Sequence, residues 1–132
     1  MTRFVITADV ALAIARGEVA VAPEHQLVAP ALIRSQVLSR LYEAVRRGEL
    51  TTADAEGQLD AIRGLRIRLL GDRVLQRVAW RLADQLGWPD TFDAEYVALT
   101  QLQADALVTL DAGMADAVKA LVTVAPVTAL SS

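Results

Sequence analysis

Short apolar runs alternate with longer helical patterns along the chain, and this alternation limits the possible folds more than any other feature. The runs have the length of buried strands, and the segments between them repeat apolar residues at helical spacing. Alternating strands and helices predict a parallel sheet with helices on both faces, because parallel neighbours need a crossover connection. The predicted strands are residues 3–7, 26–29, 65–70, 107–110 and 122–127. We therefore expect one α/β domain over residues 1–132, with a parallel sheet of four or five strands.

Capping residues and glycines predict where the helices begin and end. Pro30 suits the first turn of a helix that runs to about residue 47. Thr51 or Thr52 can cap the next helix, which ends near residue 64. Further helices are expected over residues 9–15, 72–85 and 114–121; Gly71 and Asp72 open the second of these, and Gly87 is placed to close it.

Composition excludes several classes of site. The chain has no cysteine and a single histidine, so a zinc site, a thiol nucleophile and disulfides are excluded. His25 lies between loop residues, and we expect it to be exposed. The absence of cysteine predicts a cytoplasmic protein, and because no run of 18 apolar residues is present we expect no membrane span.

Charge is unevenly distributed along the chain. The net charge is −3, but residues 34–81 carry ten of the 13 basic residues and six of the 16 acids, a local balance of +4. The basic middle of the chain could bind a phosphate backbone, and the acidic remainder could hold a cation. Arginines that solvate amphipathic helices are the competing interpretation.

Two acids near the end of the chain form the candidate site. Asp90 can cap a helix whose first turn includes Asp93, and Asp111 directly follows the apolar run 107–110. Ligands of open α/β sheets gather at the carboxyl ends of strands, which is where Asp111 is expected. Each acid alone is also typical of a helix cap. Together they predict a carboxylate site at one sheet edge.

The amino-acid sequence around these acids resembles the PIN domain of the VapC toxin type. The resemblance rests on residues 91–99 (TFDAEYVAL), 107–111 (LVTLD) and 27–35 (LVAPALIRS), in this order and spacing. It implies a PIN-like three-layer α/β/α fold and a Mg²⁺- or Mn²⁺-dependent endoribonuclease. Carboxylate oxygens are the hard ligands that these cations prefer.

The family's four acidic positions are only partly filled. The third and fourth fall on Asp93 and Asp111, which the resemblance implies as catalytic metal ligands. The first falls on Thr7, or on Asp9 in a register shifted by two, and the second falls on Gln36. Thr7 and Gln36 are expected to support the site through metal-bound water, and two missing carboxylates leave a second hypothesis open. In that hypothesis the domain no longer hydrolyses RNA and acts as an RNA- or antitoxin-binding module.

Other residues are candidates for binding. Thr109 could hold a water or phosphate near Asp111. Arg73, Arg77 and Arg81 recur every four residues, so they line one helix stripe able to bind RNA or a partner. Trp80 on the same helix is more typical of a core or interface position than of a base-stacking platform. The resemblance implies a small VapB-type antitoxin and a homodimer as partners.

Overall fold

The computed structural model describes all 132 residues as an α/β fold with six α-helices and four strands. The strands are β1 (Arg3–Ile6), β2 (Gln26–Pro30), β3 (Ile67–Leu70) and β4 (Ala106–Val108). The helices are α1 (Ala8–Ala15), α2 (Ile33–Arg46), α3 (Thr52–Arg63), α4 (Arg73–Leu86), α5 (Phe92–Gln103) and α6 (Ala112–Val118), and a 3-10 helix (Val127–Ser131) follows. The predicted α/β class and parallel sheet are confirmed, with four strands.

The sheet has the strand order β3-β2-β1-β4, and every pair is parallel. The chain moves one way from β1 to β3 and then crosses back over β1 to reach β4. Right-handed crossovers place α1, α2 and α3 on one face and α4 and α5 on the other. The packing agrees, because α1, α2 and α3 contact one another while α5 packs on α4 and covers β1, β2 and β4. The fold is a three-layer α/β/α arrangement.

The core follows from this layering. Val5 and Ile6 on β1 and Leu107 and Val108 on β4 have no exposed surface, because helices cover both faces of the two strands. They belong to one continuous cluster of 29 buried residues. None of the helices is both long enough and apolar enough to cross a membrane.

Several helix boundaries lie where capping residues predicted them. Thr51 caps α3 through a capping box, in which its hydroxyl accepts from the Asp54 N–H at 3.0 Å. Asp72 caps α4 by accepting from the Leu75 N–H at 2.9 Å. Gly87 ends α4 with a left-handed φ of 67°, a conformation that favours glycine.

The predicted strand over residues 122–127 is wrong. Val124 forms only an isolated bridge to Leu107. Pro126 has no N–H for a further ladder bond, and the chain turns into the 3-10 helix that buries Leu130 in the core. The preceding predicted strand is also shorter than expected. It stops at Val108, and Leu110 is exposed.

Pro30 does not begin a helix. It is the last residue of β2, beyond the register with β1, which ends at Val28. A proline is tolerated there because no ladder partner on β1 needs its missing N–H. The helix starts at Ile33 instead, after a tight connection in which the Arg34 N–H donates to the Ala31 carbonyl at 3.2 Å.

Candidate functional site

The strand order reverses between β1 and β4, and this reversal creates the crevice in which open α/β sheets bind ligands. Helices α1 and α6 begin directly after β1 and β4. Helix α5 leads into β4, so its first turn also lies at the carboxyl edge of the sheet. The predicted site residues on these elements are therefore carried to one edge.

Asp93 lies in the first turn of α5 and makes no hydrogen bond, so both carboxylate oxygens are available to a ligand. Partial burial of the carboxyl raises its pKa above the ordinary value. The negative charges of Asp111, Asp90 and Asp9, in that order, raise the pKa further, and Arg40 opposes them. The charges of Asp9 and Asp111, the other two predicted acids, therefore act on Asp93.

Asp111 is the N-cap of α6. Its Oδ1 accepts from the Met114 N–H at 3.1 Å, which leaves Oδ2 without a protein partner. Gly113 makes room for this carboxylate, because a Cβ at position 113 would lie 3.3 Å from Oδ1. The capping role and the proposed ligand role therefore use different oxygens of one side chain.

The predicted first position is occupied by two side chains that contact each other. Thr7 follows β1 and is only 7% exposed, and its hydroxyl donates to Oδ1 of Asp9. The same oxygen accepts from the Val10 N–H at 2.8 Å in the first turn of α1. The two residues that could occupy the first acidic position, Thr7 and Asp9, are therefore hydrogen-bonded to each other. The second carboxylate oxygen of Asp9 has no protein partner.

The predicted second position, Gln36, is tied to the opposite layer. Its Oε1 accepts a hydrogen bond from the Tyr96 hydroxyl across a separation of 60 residues. Burial raises the pKa of the Tyr96 phenol well above its ordinary value. The positive charge of Arg40 lowers this pKa, and the negative charges of Asp9, Asp93 and Glu95 raise it further. Tyr96 therefore remains a protonated donor, and Gln36 joins α2 to α5 across the crevice.

Arg40 is a site residue that the sequence analysis did not single out. It lies four residues after Gln36, on the same face of α2, and its positive charge acts on Asp93 and Tyr96. It takes part in no ion pair with a carboxylate. The signal in the sequence was the spacing of four from the predicted second position.

The donor set fits a hydrated divalent cation better than an enclosed metal centre. No group of three or more His, Cys, Asp or Glu side chains lies close enough to hold a metal ion. Asp93 and Asp111 offer free carboxylate oxygens, and Mg²⁺ is often held by one or two carboxylates while it keeps several waters. The geometry therefore suits weak, water-mediated binding.

Of the other predicted binding residues, Thr109 contacts the backbone of Asp111, whereas the arginine stripe lies outside the crevice. The Thr109 hydroxyl accepts from the Asp111 N–H at 3.1 Å and so fixes the turn before α6. The stripe of three arginines lies exposed on the outer side of α4, outside the acidic crevice, and consists of Arg73, Arg77 and Arg81.

Trp80 is exposed and His25 is half-buried. The indole of Trp80 is 71% exposed, which excludes the core position of the two that were expected and leaves the interface position. The ring of His25 is half-buried, edge-on to Phe4 with ring centroids 5.1 Å apart, and its Nδ1 accepts from the Thr2 N–H at 3.3 Å. His25 therefore anchors the start of β1 and has no part in the acidic site.

Comparison with known proteins supports the fold alone. No family model matches the sequence, and no curated protein matches it. Among solved structures, the crystal structure of PAE2754 from Pyrobaculum aerophilum is similar, with a TM-score of 0.71 and 18% sequence identity. The similarity covers 98% of this chain and 93% of that chain.

Proposed function

We propose that this chain is a slow, Mg²⁺- or Mn²⁺-dependent endoribonuclease of the VapC toxin type. The observation that carries the proposal is the pair of carboxylates, Asp93 and Asp111, at the crevice where the strand order reverses. Asp111 is the charge that raises the pKa of Asp93 most, and both side chains keep free oxygens. Two acids with free oxygens at a ligand-binding edge are suited to binding a cation.

The chain's own residues would divide the work as follows. Asp93 and Asp111 would hold the cation, and Asp9, oriented by the Thr7 hydroxyl, would add negative charge beside it. Arg40 would contact a phosphate oxygen of the RNA, because a guanidinium is a strong donor to phosphate. A bound cation would polarise the phosphate and lower the pKa of a water, which allows hydrolysis at neutral pH.

A second function is favoured by a different observation. The side chains at the two substituted positions already have protein partners, since Thr7 bonds Asp9 and Gln36 bonds Tyr96. No group of three acids is close enough to hold a metal. These contacts favour a domain that binds RNA or an antitoxin through the same surface and does not hydrolyse RNA.

A surface between α2, α3 and β3 suits a protein partner such as a VapB-type antitoxin or a second copy of the chain. It contains an open cavity of about 470 Å³ lined mainly by apolar side chains, among them Leu38, Leu59 and Ile62. Leu38 is an exposed apolar residue, and Arg34 and Arg63 lie at the cavity. Exposed apolar surface bordered by charge is typical of an interaction site.

Restoring the two missing acids distinguishes the two functions. We expect the wild type to cleave structured RNA slowly in Mg²⁺ or Mn²⁺, and the double variant Thr7→Asp/Gln36→Glu to cleave roughly a hundredfold faster, equivalent to about 3 kcal/mol of transition-state stabilisation. Asp93→Asn is the blank. A fast wild type that the double variant does not improve would make Asp9 the first acid. No cleavage by either protein, together with RNA binding, would favour the non-hydrolytic module.

A further inference from the structure

We propose that the outer face of α4 is a platform for single-stranded RNA, on which Trp80 stacks against a base while Arg77 and Arg81 contact phosphates. The proposal deepens the proposed function, and rests on it for RNA as the ligand. It concerns a surface separate from the acidic crevice.

The first observation is the position of Trp80. Helix α4 buries Leu75, Ala79 and Leu82 against the rest of the protein, so Trp80 projects from the opposite side. The indole is 71% exposed, the largest exposed fraction of any aromatic side chain in the protein. Exposing an indole forgoes the burial of a large apolar surface, which a core position would have gained.

The second observation is the charge around the indole. Arg77 lies three residues before Trp80 and Arg73 seven before, so both share its side of the helix, and Arg81 follows it directly. None of the three arginines forms an ion pair or a side-chain hydrogen bond within the protein. Asp84 is the one acid within α4. An exposed aromatic ring among unpaired arginines complements a polyanion with exposed bases.

The surroundings favour RNA over a protein partner. The exposed residues of α4 within one turn of Trp80 are Gln76, Arg77, Arg81 and Asp84, so its nearest exposed neighbours on this helix are polar or charged. The fully buried core of a protein interface is depleted of charge and contains clustered apolar residues. Stacking on one ring with arginines to either side is how proteins hold a single strand without reading its sequence.

The platform also points toward the acidic site. Helices α4 and α5 pack together, and the turn at Gly87 joins the end of α4 to the loop that precedes Asp93. Trp80 lies six residues before the end of α4, roughly 9 Å along the helix axis. A strand held on α4 could therefore continue over the helix end toward the carboxylates.

The test measures RNA binding in EDTA, so that it does not depend on cleavage. In a Trp88→Phe background, Trp80 is the only tryptophan. We expect an unstructured octauridylate to quench its fluorescence and a blunt RNA duplex of equal length to leave it unchanged. By anisotropy of labelled octauridylate, Trp80→Ala should weaken binding about tenfold, equivalent to about 1.4 kcal/mol, and Trp80→Phe should retain most of the affinity.

The arginines have a separate signature. Replacing Arg77 and Arg81 by glutamine should reduce the slope of log affinity against log salt by about 1.4, because each phosphate contact on a single strand contributes about 0.7. The matched controls are Tyr42→Ala and Arg46→Gln on α2, an aromatic residue that is 63% exposed and an arginine four residues later that forms no ion pair. Both controls should change the affinity less than twofold.

Three results would overturn the platform. Wild-type affinity in Trp80→Ala would exclude stacking, and equal weakening by the α2 controls would mean diffuse electrostatic binding. A change of sedimentation mass in Trp80→Ala, with RNA affinity intact, would make this face a contact between copies of the chain. Quenching without cleavage in Mg²⁺ would support the platform and count only against the nuclease.

Discussion

Replacing Asp93 by asparagine tests the candidate cation site through stability alone. If Asp93 and Asp111 bind Mn²⁺ with a dissociation constant near 1 mM, 10 mM Mn²⁺ should stabilise the wild type by about 1.4 kcal/mol. Unfolding entropy scales with chain length, so for 132 residues this corresponds to a Tm increase of about 5 °C. Asp93→Asn should lose most of this increase, because one of the two free carboxylates is gone.

Without a cation, Asp93→Asn should instead raise the free energy of unfolding above that of the wild type. The pKa of Asp93 is raised by burial and by neighbouring carboxylates, so the folded state binds its proton more tightly than the unfolded state does. Wild-type stability should therefore fall as the pH rises from the ordinary aspartate pKa, about 3.9, through the raised folded value. At pH 7 we expect Asp93→Asn to gain up to about 1 kcal/mol, since the side chain is exposed and the start of α5 favours an anion. Below pH 3 the gain should disappear.

Scanning fluorimetry of wild type, Asp93→Asn and Asp84→Asn, with and without Mn²⁺, measures both effects. Asp84 is an exposed acid on α4 that is not among the charges acting on Asp93, and its replacement should leave the Mn²⁺ shift intact. An equal Mn²⁺ shift in wild type and Asp93→Asn would refute the assignment of the site. No shift in the wild type at 10 mM would refute metal dependence at this affinity.

Substitutions at two further positions test contacts around the crevice. Tyr96→Phe removes the hydroxyl that donates to Gln36 and should lower the free energy of unfolding by about 0.5–1.5 kcal/mol. Urea denaturation measures this change. A smaller change would mean that packing alone holds α2 and α5 together. Asp111→Ala removes the N-cap of α6 and should lower the free energy of unfolding by about 1 kcal/mol. Asp111→Asn retains the cap, so it should lower the free energy of unfolding less than half as much while it weakens the Mn²⁺ shift. Equal losses in the two variants would argue against the capping role.

The features that the sequence predicted correctly depend on residues close together in the chain. The cap at Asp72 and the capping box at Thr51 each join residues three apart, and Gly87 acts through its own backbone. The parallel pairing of the strands followed from alternation, because crossovers between parallel strands need helices, whereas the strand order came from the structure. Local chemistry and the alternation rule were sufficient for these elements.

The features that the sequence did not predict depend on distant partners. The hydrogen bond between Gln36 and Tyr96 spans 60 residues, and no local pattern indicates it. The strand expected over residues 122–127 has suitable apolar residues, but Pro126 interrupts its ladder and Leu130 gains more burial in a 3-10 helix. Trp80 fits an amphipathic pattern, and only the packing of α4 on α5 shows which side of the helix it occupies.

In the cation site that we propose, Thr7 and Gln36 stand at positions where the resemblance to PIN domains implies acids, and this changes what the crevice requires when no cation is bound. Four carboxylates held together would repel one another, and in the absence of a cation this repulsion would favour protonation or opening of the site. Thr7 and Gln36 replace two potential charges with neutral groups, and each makes a hydrogen bond that holds a neighbour in place. The positive charge of Arg40 acts on Asp93 and opposes the rise in its pKa. Under the proposed function, these neutral groups reduce repulsion in the crevice when no cation is bound, and for the same reason they reduce its attraction for a divalent cation.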